Sequence, residues 1–293
     1  MGVAIVQVSR PDDALLLGMH ALMDRTFAPH ERDTVAVTRA ELRDHPGRFL
    51  VFIAVDDAND TVVGYATGAL LPLLHPGGEP VADTAFLCGC HLDRDRGYRG
   101  QQLGERLAAA RLQAAQQQAA ALGVRFAGYL AECSDKEGFF NRVTARRLYL
   151  QTHAKRYVEL PYYQPPSAWS RDGAPIVQTA DGERPFAPHS APQHLMFAPP
   201  PGQQIPETLP AVQLLAMVRG MFWYNCRENG FLTDGTPEAL VRLHQTVNAF
   251  EDELTAALAT AQTGCVRLLS KAERATLIAN GACVVDHCTA MAG

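Results

Sequence analysis

One continuous stretch of this chain, from Thr84 to Leu107, passes from an apolar run through a charged turn into a helix-forming segment. Residues 85–92 are mostly apolar without helical spacing, which predicts a buried strand. Residues 93–100 are charged or contain glycine, and a helix-forming segment begins at Gln101. A turn from a strand into a helix gathers unpaired backbone N–H groups and the positive end of the helix dipole. The stretch therefore predicts an anion-binding site at the start of this helix.

Composition and charge exclude several classes of protein. A chain of 293 residues with 47% hydrophobic and 19% charged residues has an ordinary globular composition. The net charge of -5 argues against a general nucleic-acid binder, and no apolar run is long enough to span a bilayer. The first ten residues lack the basic start and the long apolar region of a signal peptide. We therefore expect a cytoplasmic protein that binds neither nucleic acid nor membrane.

The seven cysteines do not indicate a disulfide framework, because their number is odd and the chain is large. Cys88 and Cys90 alternate along the predicted strand, so both thiols lie on one face. No C-x-x-C motif or pair of histidines completes a metal site around them. The sequence predicts buried free thiols and no metal.

The hydrophobic spacing on either side of the opening stretch predicts further strands and helices. Strands are expected at residues 3–8, 49–55, 62–71, 85–92, 124–131 and 156–160. Helices are expected at residues 13–27, 38–44, 101–122 and 134–151. In the second of these helices Thr38 is the predicted N-cap and Glu41 completes a capping box. This order predicts an α/β fold with a mixed, mainly antiparallel sheet flanked by helices and one βαβ unit.

The composition changes after Pro161. Residues 167–205 form a proline-rich connector without sustained periodicity, except for a strand at 194–198 that we expect to return to the sheet. Residues 206–293 show helical spacing, and Ser270 with Glu273 predicts a capping box. The predicted organisation is a domain over residues 1–166, the connector, and an all-helical extension that is a candidate surface for a homodimer.

The turn resembles the pyrophosphate loop of the GCN5-related N-acetyltransferases (GNAT). Residues 98–107, YRGQQLGERL, are similar to that family's pattern of Arg or Gln, two residues, Gly, one residue, and Gly or Ala. Arg99 and Gly104 fill the outer positions, whereas Gln102 stands at the inner glycine. This departure places a side chain where the family brings bare backbone close to the pyrophosphate.

A second resemblance lies in residues 145–149, ARRLY, which are similar to the segment where the family carries a tyrosine on the helix after the fifth strand. The Gly-Phe that follows this tyrosine in the family is replaced by His153 and Ala154. The likeness covers residues 1–165, so it implies a GNAT-like acyl-CoA-binding domain over the first part of the chain.

The resemblance implies acetyl-CoA or another acyl-CoA as co-substrate, bound without a metal. Backbone N–H groups at the end of the central strand would hold the thioester oxygen, and the turn would hold the pyrophosphate. The implied residues are Cys90, His91, Leu92, Arg99, Gly100, Gln101, Gln102, Leu103 and Gly104.

The same chemistry requires a base for the amine and an acid for the leaving thiolate. Tyr149 is the candidate for protonating the CoA thiolate. Glu132, at the end of the fifth predicted strand, is the first candidate base, and Glu31, in the turn that lines the acceptor site in the family, is the second. His91 and Asp93 flank the thioester end of the central strand and are further candidates.

The predicted function is acetyl transfer from acetyl-CoA to the primary amine of a small-molecule or amino-acid-like acceptor. Other thioester chemistry on the same fold, namely O-acyl transfer or decarboxylation of a malonyl thioester, stays open at this point. So does a non-catalytic acyl-CoA-sensing or interaction module, because a fold does not choose between these functions.

Overall fold

The structure is a computed structural model of the chain. It describes residues 2–27, 32–98, 101–134, 156–160, 162–163, 168–169, 174–179, 182–185, 192–224, 237–259, 264–270, 273 and 276.

The described residues contain five α-helices and thirteen strands. The helices are α1 (Leu15–Thr26), α2 (Val35–Asp44), α3 (Leu103–Ala121), α4 (Ala211–Trp223) and α5 (Pro237–Ala259). The strands are β1 (Val3–Val8), β2 (Phe49–Asp56), β3 (Thr61–Leu74), β4 (Pro80–Arg94), β5 (Arg125–Ser134), β6 (Arg156–Val158), β7 (Tyr162–Tyr163), β8 (Ala168–Trp169), β9 (Pro175–Thr179), β10 (Gly182–Pro185), β11 (Pro192–Ala198), β12 (Thr208–Pro210) and β13 (Cys265–Leu269). A short 3₁₀ helix, Arg96–Tyr98, precedes α3.

The chain divides into two compact units. Unit 1 comprises Met1–Leu71, Asp83–Tyr129 and Pro200–Gly202. Its strands follow the order β1-β2-β3-β4-β5, and the β1–β2 and β2–β3 pairs are antiparallel. The adjacent strands β4 and β5 are joined through α3, which is the connection that parallel strands need. The predicted fold class, a mixed and mainly antiparallel sheet flanked by helices, is confirmed.

Helix α1 packs one face into the core of unit 1. Its buried apolar residues are Leu16, Met19, Leu22 and Met23. Each such side chain stabilises the fold by roughly 1.5–3 kcal/mol through burial. Gly18 lets this helix come close to β3, since an added Cβ there would lie only 2.6 Å from Val62 Cγ2.

Gly123 terminates helix α3. Gly123 has a φ of 70°, a left-handed conformation that glycine adopts without steric cost. The Val124 N–H donates to the Ala119 carbonyl at 2.9 Å, and the Gly123 N–H donates to the Ala120 carbonyl at 3.0 Å. These two bonds form a Schellman motif, which satisfies carbonyls at the helix end.

The predicted start of α2 is wrong. The helix begins at Val35, and its N-cap is Thr34, whose hydroxyl accepts a hydrogen bond from the Val37 N–H at 3.3 Å. Thr38 is instead buried inside the helix and hydrogen-bonds His20 Nε2 at 3.0 Å. Two threonines four residues apart both resemble a cap in sequence, and only their contacts distinguish them.

Unit 2 comprises Pro72–Ala82, Leu130–Pro199 and Gln203–Gly293. Its main sheet begins with the second half of β5 and continues in the order β11-β6-β13-β12. β11 pairs antiparallel with β6 and with β7, so the strand predicted at residues 194–198 is confirmed. β8, β9 and β10 form a separate antiparallel sheet.

Two predictions for the C-terminal half need correction. The connector contains three strands, β8 to β10, besides the predicted one. The extension is not all-helical, because it also contributes β12 and β13, and β13 pairs with β6. Strands this short carry too few residues for a period of two to be recognised. The Ser270–Glu273 capping box is confirmed by reciprocal bonds of 2.7 and 3.3 Å. Ser134, the predicted start of the helix over residues 134–151, instead ends β5, and the rest of that range lies outside the described residues.

None of the described helices combines enough length and apolar character to cross a bilayer.

Candidate active site

The turn before α3 is anchored to the sheet of unit 1. The Tyr98 hydroxyl donates to the Asp56 carboxylate at the end of β2. The Asp95 N–H donates to the Val63 carbonyl of β3 at 2.8 Å, and the Asp95 carboxylate accepts from the Gly97 N–H at 2.9 Å. The chain therefore enters the predicted phosphate loop from a fixed position. Arg99 and Gly100 lie outside the described residues and stay predictions.

Helix α3 begins with a residue in an unfavourable backbone conformation. Gln102 is the N-cap and has a φ of 53°, in the left-handed region that costs a non-glycine residue free energy. Gln101 and Gln102 are exposed, and the Gln102 side chain makes no capping hydrogen bond. The first N–H groups of α3, from Leu103 and Gly104, are therefore left without a side-chain cap. Such donors suit a phosphate.

A positive charge that sequence reasoning missed lies beside this helix start. A Cβ added to Gly104 would be 3.4 Å from Arg94 Nη1 and 3.6 Å from Leu92 Cδ2. These are ordinary contact distances, so the Arg94 guanidinium lies close to the first turn of α3. The uncapped helix start and this cation together fit a diphosphate group. Its position at the very end of β4 was the only sequence signal for Arg94.

The predicted thioester-binding segment lies on β4. Cys90, His91 and Leu92 are all partly buried there. The His91 N–H donates to Thr67 Oγ1 at 3.1 Å, so this one of the three backbone donors already has a partner. A hydrogen bond with Cys88 and burial raise the pKa of the Cys90 thiol well above its usual range. Cys90 is therefore a neutral thiol at neutral pH, not a nucleophile.

Arg111 is the largest fully buried side chain of the described core. Its guanidinium donates to the carbonyls of Thr67 on β3 and His91 on β4, the second at 3.3 Å, and to the Tyr129 hydroxyl on β5 at 3.1 Å. One charged group therefore joins three strands beside the thioester-binding segment. The sequence contained a signal for it, because Arg111 falls on the buried stripe of α3 with Leu107 and Ala115.

Tyr129 explains the glycine between the two cysteines of β4. A Cβ added to Gly89 would overlap the phenol ring of Tyr129. Glycine at this position therefore lets the Tyr129 ring lie directly against β4, within reach of Arg111.

Glu132 lies on the second half of β5, in unit 2. The residue as a whole is half-buried, whereas its carboxyl group is buried. This burial raises the pKa of Glu132 to about 7, and a hydrogen bond from the Tyr162 hydroxyl partly offsets the rise. A carboxyl group with this pKa exchanges protons readily at neutral pH, which is what a general base requires.

Glu132 is thus a candidate base within the described residues whose pKa suits proton transfer near neutral pH. Its partner Tyr162 was missed, because thirty residues separate the two and no local pattern links them. Glu31 and Tyr149, the other predicted catalytic residues, lie outside the described residues and stay predictions. Among the described residues, no cluster of three or more His, Cys, Asp or Glu side chains is arranged to hold a metal ion.

Residues 16–135 match the model of the Acetyltransferase (GNAT) family. This stretch of the chain belongs to that family. The matched range contains the anchored turn, the start of α3, the end of β4 and Glu132. It confirms the family suggested by residues 98–107 and the predicted class of enzyme, an acetyltransferase.

Solved structures of low identity are also similar to the chain. A putative GNAT acetyltransferase from Desulfovibrio desulfuricans is 17% identical over 68% of this chain and 99% of that chain, with a TM-score of 0.42. Arabidopsis thaliana NAA60, solved with a bisubstrate analogue, is 12% identical over 69% and 100%, also with a TM-score of 0.42. The aminoglycoside N-acetyltransferase AAC(6')-Iy, solved with CoA, is 17% identical over 50% and 86%, with a TM-score of 0.34. No curated protein matches the chain.

Proposed function

We propose that this GNAT protein transfers an acetyl group from acetyl-CoA to the primary amine of a small-molecule or amino-acid-like acceptor. The observation that carries the proposal is Glu132, a buried carboxyl group with a pKa of about 7 within the matched family range. A surface carboxylate would be too weak a base for this step, because its pKa lies near 4.

Glu132 acts on the acceptor in this proposal. An amine is protonated at neutral pH and cannot attack a carbonyl until it loses that proton. The ionised fraction of Glu132 accepts the proton, directly or through one water molecule. The amine nitrogen then forms its bond to the thioester carbon, the carbon–sulfur bond breaks, and Tyr149 gives the thiolate a proton.

The start of α3 holds the donor in this proposal. The uncapped N–H groups of Leu103 and Gly104 would bind the pyrophosphate, with Arg94 beside them and Arg99 added from the turn. This leaves the adenosine end fixed and the thioester free to reach the end of β4. A direct transfer gains much of its rate when its substrates are held in position, and these groups would hold the donor.

Thiol release from acetyl-CoA with a panel of small amines and amino acids tests the proposal. We expect turnover with at least one amine, and a loss of kcat of about 10²–10⁴-fold in Glu132→Gln, the range that general-base catalysis contributes. Titration calorimetry with CoA should show that both proteins bind the donor equally. Full activity of Glu132→Gln would remove Glu132 from the base role.

The same experiment distinguishes the non-catalytic alternative. CoA binding without thiol release for any amine would favour an acyl-CoA-sensing module over an enzyme. Thiol release without an acceptor would instead indicate hydrolysis of the thioester. Loss of CO2 from malonyl-CoA without thiol release would indicate decarboxylation.

A further inference from the structure

Tyr162 holds Glu132 from a strand outside the matched family range. β7 follows β5 and β6 in the chain and pairs with β11. Tyr162 is 3% exposed, and its hydroxyl donates to Glu132 Oε1. Because the residue is buried, the direction of its hydroxyl depends on what packs around its ring.

The packing around that ring comes from the C-terminal extension. Phe222 on α4 lies with its ring centroid 6.2 Å from that of Tyr162, at an interplanar angle of 34°. Phe250 on α5 meets Phe222 edge to face, at 6.2 Å and 85°. Both phenylalanines are buried, Phe222 almost completely. Aromatic contacts at these separations are favourable and orient the rings.

We propose that the C-terminal extension is part of the catalytic apparatus, because Phe222, supported by Phe250, holds Tyr162 against Glu132. Tyr162 and Phe222 are positioning residues, since neither needs to touch a substrate. The inference rests on the proposed role of Glu132 as base, and it assigns a task to helices α4 and α5, which lie outside the residues that match the family.

Burial and the hydrogen bond from Tyr162 act on the pKa of Glu132 in opposite directions. Burial disfavours the carboxylate and raises the pKa of Glu132, whereas the hydrogen bond from Tyr162 stabilises the carboxylate and lowers that pKa. Close to these phenylalanines in the chain, Arg219 on α4 donates to Glu251 on α5, so these two charges pair with each other. Within the described part of the chain, burial and Tyr162 are therefore the influences that set the basicity of Glu132.

The test measures the pKa of Glu132 directly. Carbon-13 NMR of protein labelled at the glutamate carboxyl carbons follows each titration, and the Glu132 signal is assigned by its loss in Glu132→Gln. In Tyr162→Phe the pKa of Glu132 should rise above the wild-type value, because the stabilising hydrogen bond is gone. In Phe222→Ala it should also rise, by less, because Tyr162 is no longer held in position to donate its hydrogen bond.

Two further variants keep the test decisive. Phe222→Leu retains most of the apolar volume, so it replaces Phe222→Ala if that protein does not fold, and it should give a smaller rise in the pKa of Glu132. Phe52→Leu makes the same substitution at a buried phenylalanine of β2 in unit 1 and should leave the Glu132 titration unchanged. An unchanged pKa in Tyr162→Phe and both Phe222 variants, or an equal shift in Phe52→Leu, would overturn the proposal.

Activity is measured separately, so that the two ideas can fail independently. The acid limb of the pH profile of kcat/KM should move with the NMR value in each variant, to higher pH in Tyr162→Phe and, by less, in Phe222→Ala. If the NMR values move as expected while Glu132→Gln remains fully active, the proposed base is wrong and the coupling through Phe222 still stands. If the NMR values do not move, the coupling is wrong whatever the activity shows.

Discussion

The guanidinium of Arg111 lies over the ring of Tyr129, with Cζ 5.3 Å from the ring centroid and Nη2 3.1 Å from the hydroxyl. The same group donates to two backbone carbonyls, those of Thr67 and His91. A buried cation is costly unless it is hydrogen-bonded, and these partners accept hydrogen bonds from Nη1 and Nη2. Arg111 therefore connects α3 to three strands of unit 1 through hydrogen bonds.

Replacement of Arg111 should lower stability strongly. In Arg111→Met the apolar stem is retained, but two carbonyls and a hydroxyl lose a buried donor, each at a cost of about 1–3 kcal/mol. We expect a total loss of about 3 kcal/mol in the free energy of unfolding, measured by urea denaturation. Arg106→Met is the matched control, because Arg106 on the same helix makes an exposed bond to the Val3 carbonyl. An equal loss in both variants would contradict the role of Arg111.

Replacement of Gln102 by glycine should stabilise the protein and improve donor binding. Gln102 has a left-handed backbone, which glycine adopts without the cost of about 1–2 kcal/mol that applies to other residues. We expect the free energy of unfolding to rise by about 1 kcal/mol and CoA to bind more tightly, since the bare backbone can approach the pyrophosphate. Thermal unfolding and titration calorimetry measure the two effects.

The control for this change is Gln101→Gly, one residue earlier, where the backbone φ is not positive. There glycine only adds flexibility to the unfolded chain and should destabilise the protein slightly. Weaker CoA binding in Gln102→Gly would show that the glutamine side chain itself contacts the donor.

The pH dependence of stability should reveal the buried His20. Burial lowers the pKa of His20 below its ordinary value of 6.5, and the charge of His91 lowers it further. The negative charges of Asp33 and Asp24 raise the pKa and only partly offset this fall. The unfolded chain therefore takes up a proton more readily than the folded one. The stability from neutral His20 is complete above about pH 6.5 and is lost as the pH falls below that value.

Urea unfolding of wild type and His20→Gln at pH 7.5 and 5.5 checks this sign. The wild type should lose more stability between the two pH values than the variant does. His75→Gln, at an exposed histidine in the turn between β3 and β4, should behave as wild type. A larger loss of stability between the two pH values in His20→Gln than in wild type would contradict the expected direction of the His20 pKa shift.

The pH dependence of the rate should report Glu132. Only the ionised carboxylate can accept a proton, so kcat/KM should fall as the pH drops through about 7 and level off above it. The amine substrate must be chosen with a basicity well above this range, so that its own titration does not overlap. Steady-state assays from pH 5.5 to 8.5 measure the profile, and a flat profile through pH 7 would contradict the assignment.

Much of unit 1 could be predicted because its signals are local. The strand, the turn and the helix between Thr84 and Ala121 follow one another in the sequence, and Gly123 ends the helix where a left-handed residue is needed. The spacing of apolar residues likewise located α1 and the long strands β2 and β3. Such patterns depend only on neighbouring residues, so they can be recognised without the fold.

The tertiary structure decided the features that depend on distant residues. Glu132 was a candidate from its place at a strand end, but its pKa of about 7 exists because other segments bury it and Tyr162 binds it. The partners of Arg111, the cap of α2 and the pairing of β13 with β6 are likewise settled by contacts across the chain. The sequence alone predicted the family that residues 16–135 match and the order of the main elements of unit 1, whereas the anion-binding turn stays a prediction. The environment of the proposed base came only from folding, because burial and hydrogen bonding join residues that no local pattern connects.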